Sequence, residues 1–160
     1  MYSTTRTESG QEVLIHMNSM SILDPMVKDH GKIIILLNDV EKNIGGDVLS
    51  LMNAFDSFEW ALEKHIFIEE KAIYTSYNPV NISEGYKMVP ELVQEHNELL
   101  NRLRVMRFDL LKKHRCDFEG FKCSLLDHKT FEEEQLYPRL DEELTYEQKL
   151  VIVSRIKEIG

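Results

Sequence analysis

The chain has 160 residues, 42% of them apolar, and carries 19 Lys and Arg against 28 Asp and Glu for a formal net charge of −9. That length predicts a single domain with a real core rather than a disordered chain. The acidic balance disfavours nucleic acid or an anionic membrane as a partner, and the longest aliphatic run, Ile33 to Leu37, is too short to span a bilayer.

Residues 1–18 read as a polar arm. They lack a basic start followed by an apolar stretch, so no secretory signal is expected. A first helix is predicted from about Ser21 to Asn43, ended by Gly45-Gly46. A second begins at Asp47, a good N-cap, and runs to about Ser76. The segment NPVNISEG, residues 78–85, reads as a loop. The third helix is predicted from Tyr86 to His114, with Pro90 near its first turn, and the fourth from Phe118 to Asp141, with Pro138 near its end. A fifth opens at Thr145, where Gln148 three residues on gives the capping-box spacing. Four long helices with short connections predict an all-α fold, an up-down-up-down four-helix bundle over residues 19–144, with a short fifth helix over 145–160 packing on it. Cys116 and Cys123 are too few for a disulfide scaffold or a Cys-rich zinc site and read as ordinary thiols of a cytoplasmic protein.

Of six histidines, four fall one per long helix. His30 has Met26 and Val27 at −4 and −3, then Ile33, Ile34 and Leu37 at +3, +4 and +7. His96 has Leu92, Val93, Leu99, Leu100 and Leu103 at the same offsets. Each imidazole therefore lies in the middle of an apolar stripe that faces the core. The residue before it is acidic both times, Asp29 and Glu95. The other pair reads HIFIEEKAIY from His65 and HKTFEEEQLY from His128. Both have Glu at +4 (Glu69, Glu132), an aliphatic residue at +8 (Ile73, Leu136) and Tyr at +9 (Tyr74, Tyr137). Four residues is about one helical turn, so each His and its Glu share a face. With 28 acidic residues in 160, about one histidine in six meets a carboxylate at +4 by chance. A matched pair with matched flanks and two further core-phase histidines is a different matter.

The chain is thus an internal two-fold repeat, helix-His then helix-His-x-x-x-Glu. Four inward histidines and two inward carboxylates suit a dinuclear metal site with two His per metal and two bridging carboxylates, a donor mixture that suits iron. Ile73 and Leu136 are expected to wall the site. At 100° per residue, Tyr74 and Tyr137 fall about 180° from their histidines and are expected to pack outward or cap the helix end. His16 lies in the polar arm, and His114, in a Lys-Lys-His-Arg cluster, suits a helix C-terminus. No histidine has Glu three residues before it, which excludes the ferritin-like Glu-x-x-His class, and His-Glu-x-x-His is absent.

In this order of motifs, over roughly residues 22–142, the chain resembles the hemerythrin-like (HHE cation-binding) family. The resemblance implies a bundle around a non-haem di-iron centre, two iron ions with an oxo or hydroxo bridge. His30, His65, His96 and His128 would be terminal ligands, and Glu69 and Glu132 would be bridges. Glu133, at +5 from His128 where oxygen-carrying relatives place their last carboxylate, is the alternate to Glu132. Those carriers also have a fifth histidine where this chain has Leu100. The remaining pattern of four His and two Glu is closer to repair-of-iron-centres type proteins, linked to nitrosative and oxidative stress. Those relatives usually carry a further Cys-containing domain, for which 160 residues leave no room. Two functions follow from the resemblance: a protein that reacts with or binds O2, NO or peroxide, and a non-catalytic O2, NO or iron sensor whose acidic surface faces a partner protein. A single structural zinc is the weakest reading, since six donors exceed what tetrahedral zinc takes.

Overall fold

The computed structural model describes residues 20–76 and 82–160; the polar arm expected over residues 1–18, with His16, lies outside the described residues. Among the described residues six α-helices are formed: α1 (Leu23–Asn43), α2 (Val48–Ile68), α3 (Ile82–Leu111), α4 (Phe118–Phe131), α5 (Tyr137–Glu143) and α6 (Tyr146–Ile159). Two π-helical turns, Glu69–Ile73 after α2 and Glu132–Leu136 between α4 and α5, each begin at one of the glutamates singled out above. The fourth helix of the bundle is therefore α4, the second π-turn and α5 in series. No strand occurs among the described residues, and none of their helices is long and apolar enough to cross a membrane.

Local chemistry sets most of the helix ends. Gly45, at φ +85°, takes the left-handed conformation that turns the chain out of α1. Asp47 then accepts the backbone N–H groups of Leu49 and Ser50, Asp117 accepts that of Gly120, and Thr145 with Gln148 forms a reciprocal capping box. The start of α1 is capped from a distance. The Asp141 carboxylate accepts Ile22 N–H at 2.7 Å, Leu23 N–H at 3.1 Å and the Ser21 hydroxyl at 2.9 Å. One boundary differs from expectation: α3 begins at Ile82, so residues 82–85 are helical and Pro90 lies inside the helix. Proline there removes one backbone hydrogen bond and lowers the local helix preference that sequence reading relies on.

Each of the four long helices contacts the next, and α4 returns to α1 to close the ring. Along the bundle axis the core divides in two. One apolar cluster is built from Ile33, Leu37, Phe55, Phe58, Leu62, Leu99, Leu103, Phe121 and Leu125 among others. The second contains Ile22, Met26, Ile68, Ile73, Leu92, Leu136, Leu140 and Ile152. The four core-phase histidines fall at the level between the two, His30 between Met26 and Ile33, His96 between Leu92 and Leu99. This layer of polar groups is thereby closed above and below by hydrocarbon. The last helix, α6, lies against α2 and the first π-turn and buries Ile152, and Lys64 donates to the Gly160 carbonyl at 3.0 Å.

Candidate metal centre

The polar layer contains His30 of α1, His65 of α2, His96 of α3, His128 of α4 and the first residues of the two π-turns, Glu69 and Glu132. All six are buried, both carboxylates completely. The rings pair within each half of the repeat, His30 with His65 at 4.5 Å between centroids and His96 with His128 at 4.7 Å. Each carboxylate spans the two pairs. Glu69 turns Oε1 to His65 Nε2 (3.5 Å) and Oε2 to His96 Nε2 (3.1 Å). Glu132 turns Oε2 to His30 Nε2 (3.2 Å) and Oε1 to His128 Nε2 (2.9 Å) and His96 Nε2 (3.6 Å). Two groups result, His30–His65–Glu69–Glu132 and Glu69–His96–His128–Glu132, which share both glutamates. In each, one donor atom per residue lies within 4.8 Å of the others.

The outer nitrogens are all engaged, in a closed circuit around the bundle. His65 Nδ1 donates to Asp29 of α1 at 2.8 Å, and His96 Nδ1 to Glu70 of the first π-turn at 3.1 Å. His128 Nδ1 donates to Glu95 of α3 at 2.6 Å, and His30 Nδ1 to Glu133 of the second π-turn at 2.8 Å. Each acceptor is the sequence neighbour of an inward residue on the preceding helix, so each helix steadies the histidine of the next. A carboxylate on Nδ1 fixes the tautomer that leaves Nε2 as a lone-pair donor, the usual support of a metal-bound imidazole. These neighbours also separate the two glutamates weighed from sequence. Glu132 faces the layer, and Glu133 faces out to His30 Nδ1 and the Lys129 ammonium, 2.8 Å away.

Three of the four inner nitrogens are not satisfied. His65 Nε2, His96 Nε2, His128 Nε2 and Glu69 Oε2 are buried and make no hydrogen bond. Buried orphans of this kind are costly, and a cation in each of the two groups would satisfy all four. Protons do part of that work otherwise. Burial opposes a charge on His65, but Glu69 and Asp29 hold its pKa up to about 10. Burial likewise opposes a charge on His96, and Glu132 and Glu69 hold it up to about 10. His128 is also raised, against burial, by Glu132 and Glu95. Burial pushes the carboxyl of Glu132 up, but His128, His30 and His96 hold it well below the usual range; Glu69 is lowered by His65 and His96 against burial and the adjacent Glu132. Bound cations and these protons compete for the same nitrogens.

The two tyrosines lie where the sequence reading did not put them. Tyr74 and Tyr137 are buried, and their phenols reach into the polar layer. Tyr74 donates to Glu132 Oε1 at 3.3 Å, and Tyr137 bonds to Glu69 Oε1 and lies 3.4 Å from Glu132 Oε2. The π-turns are the reason. Tyr74 N–H bonds the Glu69 carbonyl and Tyr137 N–H the Glu132 carbonyl, an i→i+5 closure that turns each tyrosine toward the face its preceding glutamate occupies, where its phenol reaches the glutamate of the other half. An uninterrupted α-helix would have swung them away. Burial and the two carboxylates push both phenol pKa values up, so they remain hydrogen-bond donors. Ile73 and Leu136 are buried in the apolar cluster beside them. Among the other singled-out residues, Leu100 is half-buried against the first cluster, His114 is exposed near Asp109, and Cys116 and Cys123 are free thiols. On the side away from the tyrosines, a cavity of about 10 Å³, about one water in size, lies between His30, His65 and His128 and the apolar side chains of Ile33, Leu62, Leu99 and Leu125.

Residues 21–140, three quarters of the chain, match the family described as hemerythrin HHE cation binding domain. No curated protein and no solved structure matches it.

Proposed function

The chain belongs to the hemerythrin HHE cation-binding domain family, and on that footing we propose that it holds two iron ions and reacts with or binds O2, NO or peroxide in the manner of repair-of-iron-centres type proteins. His30 and His65 would bind one ion and His96 and His128 the other, with Glu69 and Glu132 bridging. The observation that carries the reading is that both glutamates turn one oxygen to each histidine pair, so the two donor groups share both carboxylates. One ion would not need that division, and a lone tetrahedral zinc would leave two donors over.

Bound iron would supply the change of oxidation state and the point of attachment for a diatomic or peroxide ligand. The chain supplies the rest. Asp29, Glu70, Glu95 and Glu133 hold the imidazoles in the binding tautomer and add negative charge that favours the more oxidised, more positive ions. The two apolar clusters exclude bulk water from the layer. Leu100 offers no donor where the oxygen carriers have a histidine, which favours a reactive centre over a filled one. The free thiols at Cys116 and Cys123 fit a reducing compartment, the cytoplasm.

The test is metal analysis of protein purified with iron, combined with spectra before and after O2 is admitted. Two irons per chain are expected, with near-UV absorption of ferric iron developing on oxidation. His65→Ala and Glu69→Ala should each abolish full loading. A single zinc per chain, or full iron occupancy in those variants, would refute the assignment. Stopped-flow mixing of the reduced protein with O2 then separates chemistry, seen as irreversible oxidation, from sensing, seen as a stable and reversible adduct.

A further inference from the structure

The sequence repeat places a tyrosine five residues after each inward glutamate, and each tyrosine ends up on the opposite glutamate. Tyr74, which follows Glu69, donates to Glu132; Tyr137, which follows Glu132, bonds to Glu69 and also touches Glu132. In α-helical geometry a residue at +5 lies about 140° away from its origin. The π-turns remove that divergence in both halves at the same register. Such turns are uncommon and occur mostly at functional sites. The rings are held independently of the hydroxyls: Tyr74 stacks on His96 at 5.9 Å with planes 10° apart, and Tyr137 lies 5.8 Å from the His30 ring.

Three of the four carboxylate oxygens, Glu69 Oε1 and both oxygens of Glu132, thus meet a phenol on the tyrosine side of the layer. The fourth, Glu69 Oε2, is the orphan that faces His96. A glutamate at the bottom of a flexible side chain could turn both oxygens onto one ion. A phenol fixed on one oxygen sets the carboxylate plane and keeps one oxygen toward each histidine pair. We propose that Tyr74 and Tyr137 are positioning residues that hold Glu132 and Glu69 as bridges, and that the paired π-turns are the device that brings them across. Their removal by phenylalanine leaves the rings in place and frees the carboxylates to chelate a single ion, so the second ion is lost first.

This rests on the two-ion reading above, and the experiment separates the two. Metal-free full-length protein is titrated with Co²⁺, a redox-inert probe, followed by its visible absorption and by competition with a chelator. The wild type should take two ions. Tyr137→Phe should weaken the second by about tenfold or more, the scale on which supporting hydrogen bonds act on metal affinity. Tyr74→Phe, which frees one carboxylate contact, should weaken it less, and the double variant should keep one tight ion. Phe58→Leu, a fully buried change in the first apolar cluster, should lower the thermal midpoint and leave both affinities alone, the pattern the tyrosine variants would share if their role were merely structural. Phenylalanine variants that bind two Co²⁺ with wild-type affinities overturn the positioning role while leaving the two-ion reading intact. A wild type that takes fewer than two overturns that reading itself. If the double variant does not fold, the single variants decide the matter.

Discussion

Glu95 tests the outer ring of carboxylates most directly. Its Oε2 is 2.6 Å from His128 Nδ1, against 2.8, 2.8 and 3.1 Å for the other three links. A charge-assisted hydrogen bond of this kind is worth about 1.5–3 kcal/mol. The Glu95 side chain is 50% exposed, so water screens its charge and the lower end applies. Glu95→Gln keeps an acceptor oxygen on Nδ1 and removes only the charge, so it should cost about 1.4 kcal/mol, or about tenfold in the affinity of the ion beside His128. Glu95→Ala removes the acceptor as well and should approach about a hundredfold. The assay is chelator competition on the intact protein, with Glu98→Gln as a control for bulk electrostatics. Glu98 sits one turn on along the same helix and accepts from Gln94, not from a histidine. A Glu95→Gln affinity within about twofold of wild type, or an equal loss in Glu98→Gln, would refute the role given to this ring.

Two further outcomes follow from the same geometry. His65 and His96, raised from 6.5 to about 10 by the carboxylates around them, contribute stability to the metal-free protein that is complete below pH 6.5 and is lost as pH rises through about 10. Thermal melts of metal-free protein should therefore show a falling midpoint between pH 7 and pH 10.5, about one half-unit past that pKa, and a midpoint that rises over this range would sink the explanation. Asp141→Ala takes the cap from the start of α1 and should cost about 1–2 kcal/mol, read in urea unfolding, with metal stoichiometry unchanged; a neutral substitution would mean that water replaces the carboxylate without loss.

The bundle was legible in the sequence because its signals are local. Gly45-Gly46, Asp47 and the Thr145–Gln148 box each act within one turn of chain, and apolar spacing alone orients His30 and His96. The convergence of six polar side chains was legible because the motif occurs twice at one register. The π-turns were not. Nothing in EEKAI or EEEQL marks an i→i+5 closure, and projecting Tyr74 and Tyr137 at a constant 100° per residue put them on the wrong side. Their recurrence at +9 in both halves was the available signal. The outer ring was half visible: Asp29 and Glu95 stand beside histidines in the sequence, but their partners lie on other helices, so the links depend on the order of packing. The start of α3 was obscured by Ser83, Gly85 and Pro90, whose local preferences the surrounding structure overrides.

The circuit of Nδ1 links has a consequence for symmetry. Each half of the chain closes one link within its own hairpin, Asp29 to His65 or Glu95 to His128, and gives one across to the other half, Glu70 to His96 or Glu133 to His30. The pattern maps onto itself when the halves are exchanged. Two identical copies of one hairpin, related by a dyad passing between the glutamates, would complete the same circuit with the same contacts on both sides, as a self-complementary dimer does. In physical terms the chain is such a dimer with its two protomers joined end to end, and the connection between α2 and α3 is a tether that replaces a concentration-dependent encounter with an intramolecular one.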